Sequence, residues 1–452
     1  MKLKNRRIHI IGIGGISLSA IAKLLLKENY ISGSDLVKSD LTTELESLGI
    51  KVFYDHKFEN VNGVDLVVMS AAISEDNPEV QEAKKRKIPI LTRAEVLGKI
   101  SKKYKNVITV SGSHGKTTTT GMIAECFLRA NKNPTIHIGG KLKSIDGNLK
   151  VSGSEYFITE ACEYVDSFLH FSPNSTVALN IEPDHMDYFK NFNNLKKSFE
   201  KYLKNTKKLG FNIINADDKT LLNINHKKRC ITYGIENFNA DVQAKNLRRN
   251  KFSMYSFDIV VFNKKVERIK LNVPGKHEIY NALACVCVCM QYKIGIQDIK
   301  FALENYSGIK RRFENMGSIN GAKVIHDYAH HPTEIKAVMD CVRHGKGRVI
   351  VIFQPHTYSR TKELWNEFVD VLSIADIIFV YEIYPARESQ IEGITSQNLS
   401  TAICKIGGCS IAFDNYQKMY ETLKAKVNHD DVVLILGAGD IVGFCDYVKN
   451  QV

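Results

Sequence analysis

Residues 107–123 read VITVSGSHGKTTTTGMI, and no other stretch constrains the fold as strongly. A β-branched run ends in a small-residue loop, Ser111-Gly112-Ser113-His114-Gly115, and Lys116, Thr117 and Thr118 open a helical run. A strand that turns through glycines into a helix offers backbone N–H groups to an anion. The segment therefore predicts a phosphate-binding loop within an α/β sheet. Lys116 supplies a point charge for the outer phosphates, and the Thr117 hydroxyl a ligand for Mg2+. The spacing is the short G-x-x-G-K-T form, since Val110 stands where the first glycine of the longer loop would fall.

At 452 residues the chain exceeds one core, and about two to four domains are expected. A hydrophobic content of 44% with 25% charged residues suits a soluble globular protein. RRIHIIGIGGISLSAIAKLLL breaks its apolar run with glycines and a lysine, so neither a signal segment nor a membrane span is expected. The net charge of +13 attracts nucleotides and phosphorylated metabolites as well as polyanions. The lysines are dispersed without interleaved aromatics, which predicts solvated helix faces and no nucleic-acid partner. Ten cysteines show no metal-site spacing, and buried thiols in a reducing cytoplasm are expected. Cys285, Cys287 and Cys289 fall in a helical run and are expected to face different ways.

Three α/β parts follow from the patterning, with boundaries expected at 1–105, 106–313 and 314–452. In the first, a strand over 8–13 enters Gly12, Gly14 and Gly15, and the next strand ends at Asp35. This approximates a dinucleotide fingerprint with Ser17 at the third glycine, and predicts nucleotide or nucleotide-sugar binding. A buried strand in VDLVVMSAAI reaches its loop at Ser70. In the second part, EYFITEACEYVDSFL carries Glu160 and Glu163 to a strand end, and STVALNIEPDHMDYF carries Glu182, Asp184, His185 and Asp187 to another. Carboxylates there can hold Mg2+, and a histidine can hold a second ion or orient phosphate. A turn and helix start over 275–281 can edge a nucleobase.

The third part opens after GIKRRFE, an expected hinge whose Lys310, Arg311 and Arg312 can reach phosphates. Four strand–loop–helix units then gather ionisable residues at strand ends: Asp327, Tyr328, His330, His331, His356, Arg360, Tyr384 and Arg387. Loops so loaded are more often sites than decoration.

The ordered set GIGGIS, SGSHGKTTTT, TEACEYVDSFL, NIEPDHMDYF, NADD, PGKHEIYNALA, GIKRRFE, HDYAHHPTEI, FQPHTYSR, GAGD resembles the Mur ligases along the whole chain. The resemblance implies an N-terminal Rossmann-like domain, a central P-loop ATPase-like domain with a mostly parallel sheet, and a C-terminal Rossmann-like α/β domain. It implies an ATP-dependent cytoplasmic ligase of bacterial peptidoglycan precursor synthesis. Its reaction would join L-alanine to the lactyl carboxylate of UDP-N-acetylmuramate through an acyl phosphate. FQPHTYSRT and EPDHMDYF look like the alanine-adding members; the alternative is the recycling relative that attaches a preformed peptide.

The resemblance also implies roles for residues. Gly12, Gly14, Gly15, Asp35 and Ser70 would bind the UDP-sugar. Gly112, Ser113, His114, Gly115, Lys116, Thr117, Thr118 and Asn281 would bind ATP, joined by Arg312 and Asp327. Thr117 and Glu160 would hold one Mg2+ and His185 a second. Tyr328, His330, His356 and Arg360 would frame the alanine. Chemistry would fall to Lys116, Glu160, His185, Arg312, His330 and Arg360. Ser17 and Glu278 stand where the family usually has glycine and asparagine. The implied partners are small molecules, with no membrane insertion and a monomeric or dimeric state.

Overall fold

The computed structural model describes residues 3–70, 73–224, 228–343, 345, 347–386 and 388–451. Arg387 lies outside the described residues. The chain is α/β, with three sheets in sequence order.

The first sheet comprises β1 (Arg7–Ile11), β2 (Tyr30–Ser34), β3 (Lys51–Phe53), β4 (Leu66–Met69) and β5 (Ile90–Thr92), ordered β3-β2-β1-β4-β5 and wholly parallel. The chain reverses its direction of travel across the sheet between β1 and β4. Ligands of open parallel sheets sit at such a switch point, which is where the loop after β1 lies. The three-residue β3 is too short to show an apolar run in the sequence.

The second sheet has ten strands: β6 (Asn106–Ser111), β7 (Thr135–Leu142), β8 (Gly147–Lys150), β9 (Tyr156–Glu160), β10 (Ser175–Ala178), β11 (Phe211–Asn215), β12 (Arg229–Gly234), β13 (Val242–Arg249), β14 (Met254–Val261) and β15 (Lys264–Pro274). Its order is β15-β14-β13-β12-β11-β10-β6-β9-β7-β8. β6 pairs in parallel with both β9 and β10, so three strand ends open side by side.

The third sheet is β16 (Glu314–Ile319), β17 (Ala322–Asp327), β18 (Val349–Phe353), β19 (Ile377–Tyr381), β20 (Ser410–Phe413) and β21 (Val432–Leu436), ordered β16-β17-β21-β18-β19-β20. Only β16 runs antiparallel, against β17. β16 and β20 were not expected from the sequence. β16 alternates little, and no residue of β20 is fully buried.

Packing divides the chain into two compact units, 1–243 with 260–266 and 280–302, and 244–259 with 267–279 and 303–452. In the first unit one apolar cluster joins Ile8, Ile10 and Ile21 to Phe157, Phe168, Phe199 and Tyr202. In the second, Phe353 and Phe368 anchor one face of the third sheet, and Phe379 and Phe444 the other. Among the described residues no helix is long and apolar enough to cross a membrane.

One expectation is corrected. The helix His277–Gln291 buries Cys285, Cys287 and Cys289 as anticipated, but Cys285 and Cys289 share a face. Four residues make about one helical turn, so the two sulfurs stack 3.8 Å apart. Cys287 lies outside that pair.

Candidate active site

The loop between β6 and the helix Lys116–Arg129 takes the conformation its glycines allow. Gly112 has φ +146° and Gly115 φ +84°. A Cβ on Gly112 would lie 2.9 Å from Leu179 Cβ, and one on Gly115 2.6 Å from Asn281 Oδ1. The segment after β10 braces the loop. Asn180 Oδ1 accepts from the His114 N–H at 2.8 Å, and Ser113 Oγ accepts from the Glu182 N–H at 2.9 Å. His114 Nε2 lies 3.3 Å from a Glu182 carboxylate oxygen.

Lys116 folds back into this loop. Its Nζ lies 3.0 and 3.1 Å from the two Glu163 oxygens, and donates to the carbonyls of Gly112 and Ser113. Burial disfavours the ammonium, but the Glu163 carboxylate more than offsets this and holds Lys116 above the usual lysine range. His185 Nε2 is 3.8 Å from the same carboxylate and 3.7 Å from Asp184 Oδ2. Its backbone is left-handed, φ +58°, where β10's connection turns into a short helix. Its ring packs on Tyr164, centroids 4.6 Å apart.

Glu160 ends β9 in register with Val110 of β6, which places it beside the loop. Its carboxylate accepts the Gly139 N–H at 2.6 Å. The acid that meets Lys116 and His185 is thus Glu163, three residues on. Thr117 and Thr118 occupy the first turn of the loop's helix. Asn281, expected at a nucleobase, is buried against the loop itself and accepts from the Thr119 hydroxyl at 3.1 Å.

The loop after β1 is closed by its own acid. Asp35 Oδ2 accepts from the Gly14 N–H at 2.9 Å, and a Cβ on Gly14 would fall 2.8 Å from that oxygen. Gly12 has φ +78°, and Gly15 caps the helix Ile16–Leu26. Ser70 follows β4 at the same sheet edge. Ser17, at the third position of that glycine pattern, is held by two side chains. Its hydroxyl lies 3.0 Å from His137 Nε2 and accepts from Arg93 at 3.2 Å. His137 gave no sequence signal, lying inside β7, and Arg93, which directly follows β5, was not singled out.

Burial and the neighbouring Arg93 push His137 down to about 3. An unfolded chain therefore binds a proton that the folded one refuses. The neutral ring's contribution is complete above about pH 6.5 and is lost as pH falls from there towards 3, by about 1.4 kcal/mol per unit. Urea melts at pH 6.5 and 5 should show the loss, and His137→Gln should reduce it. An equal loss in the variant would contradict a buried neutral ring.

In the second unit, the strand ends of the third sheet gather a cluster. The centroids of Tyr328 and His330 are 5.4 Å apart, those of His330 and His356 5.8 Å, and those of His356 and Tyr384 5.5 Å. Arg360 Nη1 is 3.2 Å from His356 Nδ1. Arg311 and Arg312 lie over the Tyr328 ring at 4.8 and 5.2 Å. Glu334, unremarked in the sequence, sits 3.8 Å from Arg312 and 3.3 Å from His330. It lies two residues into the helix Pro332–Val342, which His331 caps.

Asp327 is buried at the end of β17. One oxygen accepts the Phe313 N–H and the other the Ala329 N–H, both at 2.7 Å. Burial pushes this carboxyl up, while Arg312 and the two N–H groups oppose the shift. Asp327 therefore fixes the turn that carries Arg312. Glu278 pairs with His277 at 3.4 Å, and the pair holds His277 up against burial.

Three family models match in order: the Mur ligase family catalytic domain over residues 7–105, the Mur ligase middle domain over 110–289, and the Mur ligase glutamate ligase domain over 311–439. The UDP-N-acetylmuramate–L-alanine ligase of Acetivibrio thermocellus is 43% identical over 97% of this chain and 94% of its own length. The chain belongs to the Mur ligase family. The enzyme of the same name from Clostridium botulinum is also 43% identical, over 98% of this chain and 97% of its own. Among solved structures, the UDP-N-acetylmuramate-alanine ligase of Thermotoga maritima aligns with a TM-score of 0.84 at 27% identity, covering 99% of both chains. A murein peptide ligase from Psychrobacter arcticus shares the Mur ligase fold, with a TM-score of 0.74 at 21% identity.

Proposed function

We propose that this Mur ligase joins L-alanine to the lactyl carboxylate of UDP-N-acetylmuramate at the expense of ATP. The observation that carries the reading is 43% identity, over nearly full length, to relatives named for that reaction. The phosphate loop with its Lys116–Glu163 pair supports the ATP half of it.

A carboxylate is a poor electrophile, so the lactyl oxygen first takes the γ-phosphoryl group of ATP. The amine of L-alanine then attacks the acyl carbon, and phosphate leaves. There is little covalent work for side chains, and catalysis lies in positioning and charge neutralisation. Lys116 exchanges Glu163 for the outer phosphates. The N–H groups of Ser113 and His114 are held by Asn180, so the helix start from Gly115 to Thr117 offers its backbone N–H groups to the phosphates, and Arg312 adds a second cation. His330, His356, Arg360 and Tyr328 frame the amino acid; the guanidinium suits its carboxylate. Gly12, Gly14, Gly15 and Ser70 receive the UDP-sugar, with Asp35 holding that loop in shape.

The hydroxyl of Thr117 and the carboxylate of Glu160, the latter beside the loop in register with Val110, are the hard oxygen donors that would hold Mg2+, with His185 serving a second ion. Mg2+ held there would screen the charge on the phosphates and the lactyl carboxylate. The three-domain division at 106 and 314 is part of the same proposal, as is a cytoplasmic monomer or dimer.

ADP release with UDP-N-acetylmuramate and ATP decides the substrate. Free L-alanine should support turnover, and L-alanyl-D-glutamyl-diaminopimelate should not. The reverse preference would make the chain a recycling ligase.

A further inference from the structure

A cluster that ligation leaves unused lies behind the phosphate loop. Asn281, Cys285 and Cys289 recur every four residues along the helix His277–Gln291 and share one face. They meet the helix that follows the loop, where Thr119 and Cys126 are seven residues apart on its facing side. The seam is built from contacts in register: Thr119 with Asn281 at 3.1 Å, then Cys126 with Cys285, Sγ to Sγ, at 3.6 Å. Cys289 Sγ follows 3.8 Å beyond Cys285. All three sulfurs lie within 4.8 Å of one another, and all three residues are fully buried.

These separations have chemical content. Zinc–thiolate bonds are about 2.3 Å long, so two sulfurs on one tetrahedral ion stand about 3.8 Å apart. The separations of 3.6 and 3.8 Å lie close to that edge, and the third is within 4.8 Å. Soft ions of this kind prefer sulfur, and no hard oxygen donor belongs to the cluster.

We propose that Cys126, Cys285 and Cys289 form a binding site for one thiophilic cation of the zinc and cadmium class. The ion would tie the phosphate-loop helix to the helix bearing Asn281. Each ligating thiol releases its proton to solvent as its bond to the ion forms. Asn281 is one turn from Cys285 and touches the loop, so occupancy would stiffen the seam beneath Gly115 rather than enter the nucleotide site.

The test uses the full chain, stripped with chelator and titrated with Cd2+. Thiolate-to-metal absorption in the ultraviolet and elemental analysis are read together. The expected result is roughly one tightly held ion per chain, and a rise in melting temperature on loading. Cys285→Ala and Cys289→Ala should lose the band and the rise. A Cys404→Ser/Cys409→Ser chain, altered at exposed thiols, should keep both. Cys126→Ser asks the same question from the other helix if Cys285→Ala fails to fold. The proposal is overturned if the wild type shows no band, or if the band survives Cys285→Ala or Cys126→Ser.

Discussion

Lys116→Ala is expected to lower turnover by about a thousandfold or more, the scale of losing one preorganised charge at a developing anion. The lysine folds back onto the loop's carbonyls at the start of its helix, and no other lysine occurs between residues 106 and 131. Free Glu163 compounds the loss, since a buried carboxylate would then face the incoming phosphates without its cation. Single-turnover ADP formation at saturating ATP isolates the step. Circular dichroism should show a folded chain with a melting temperature lowered by the uncompensated Glu163. Near-normal turnover would remove the phosphate role of the loop.

Glu163→Ala is expected to carry the largest cost in stability. Glu163 is 1% exposed, and both its oxygens face the Lys116 ammonium. Breaking the pair from one side costs about 1–3 kcal/mol, because Lys116, whose side chain is 18% exposed, keeps part of its desolvation penalty. Lys116 can still bond the carbonyls of Gly112 and Ser113, which sets the lower end of that range. The double variant Lys116→Ala/Glu163→Ala should recover much of the loss, since no buried charge is then left alone. Urea melts of the two single variants and the double variant close the cycle. If the double variant is as unstable as the sum of the singles, the pair does not couple and the geometry around Lys116 is misread.

The phosphate loop was legible because its demands are local: two glycines, a lysine and a helix start within six residues. The strand ends of the third sheet were legible for a similar reason, as polar residues follow each apolar run directly. What the sequence did not show depends on tertiary distance. Glu160 and Glu163 share one segment, and only the turn after β9 decides which meets Lys116. His137 and Arg93 come to Ser17 from 120 and 76 residues away. Asp327 reads as a ligand by its place at a strand end, yet its two oxygens are spent on backbone N–H groups. The β13 and β15 strands, rich in lysine and arginine, gave no apolar run to read.

The position of β21 governs when the third sheet can exist. It lies between β17 and β18, so the two halves of that sheet have no edge in common until residues 432–436 arrive. A ribosome emitting this chain from its N-terminus must therefore hold the 314–426 segment without its middle strand while the phosphate loop and its sheet are already complete. Apolar strands β17 and β18 wait meanwhile with open edges, the state in which chains misassociate. A stop a few dozen codons early would leave the nucleotide-handling region whole and the histidine cluster without a sheet to stand on.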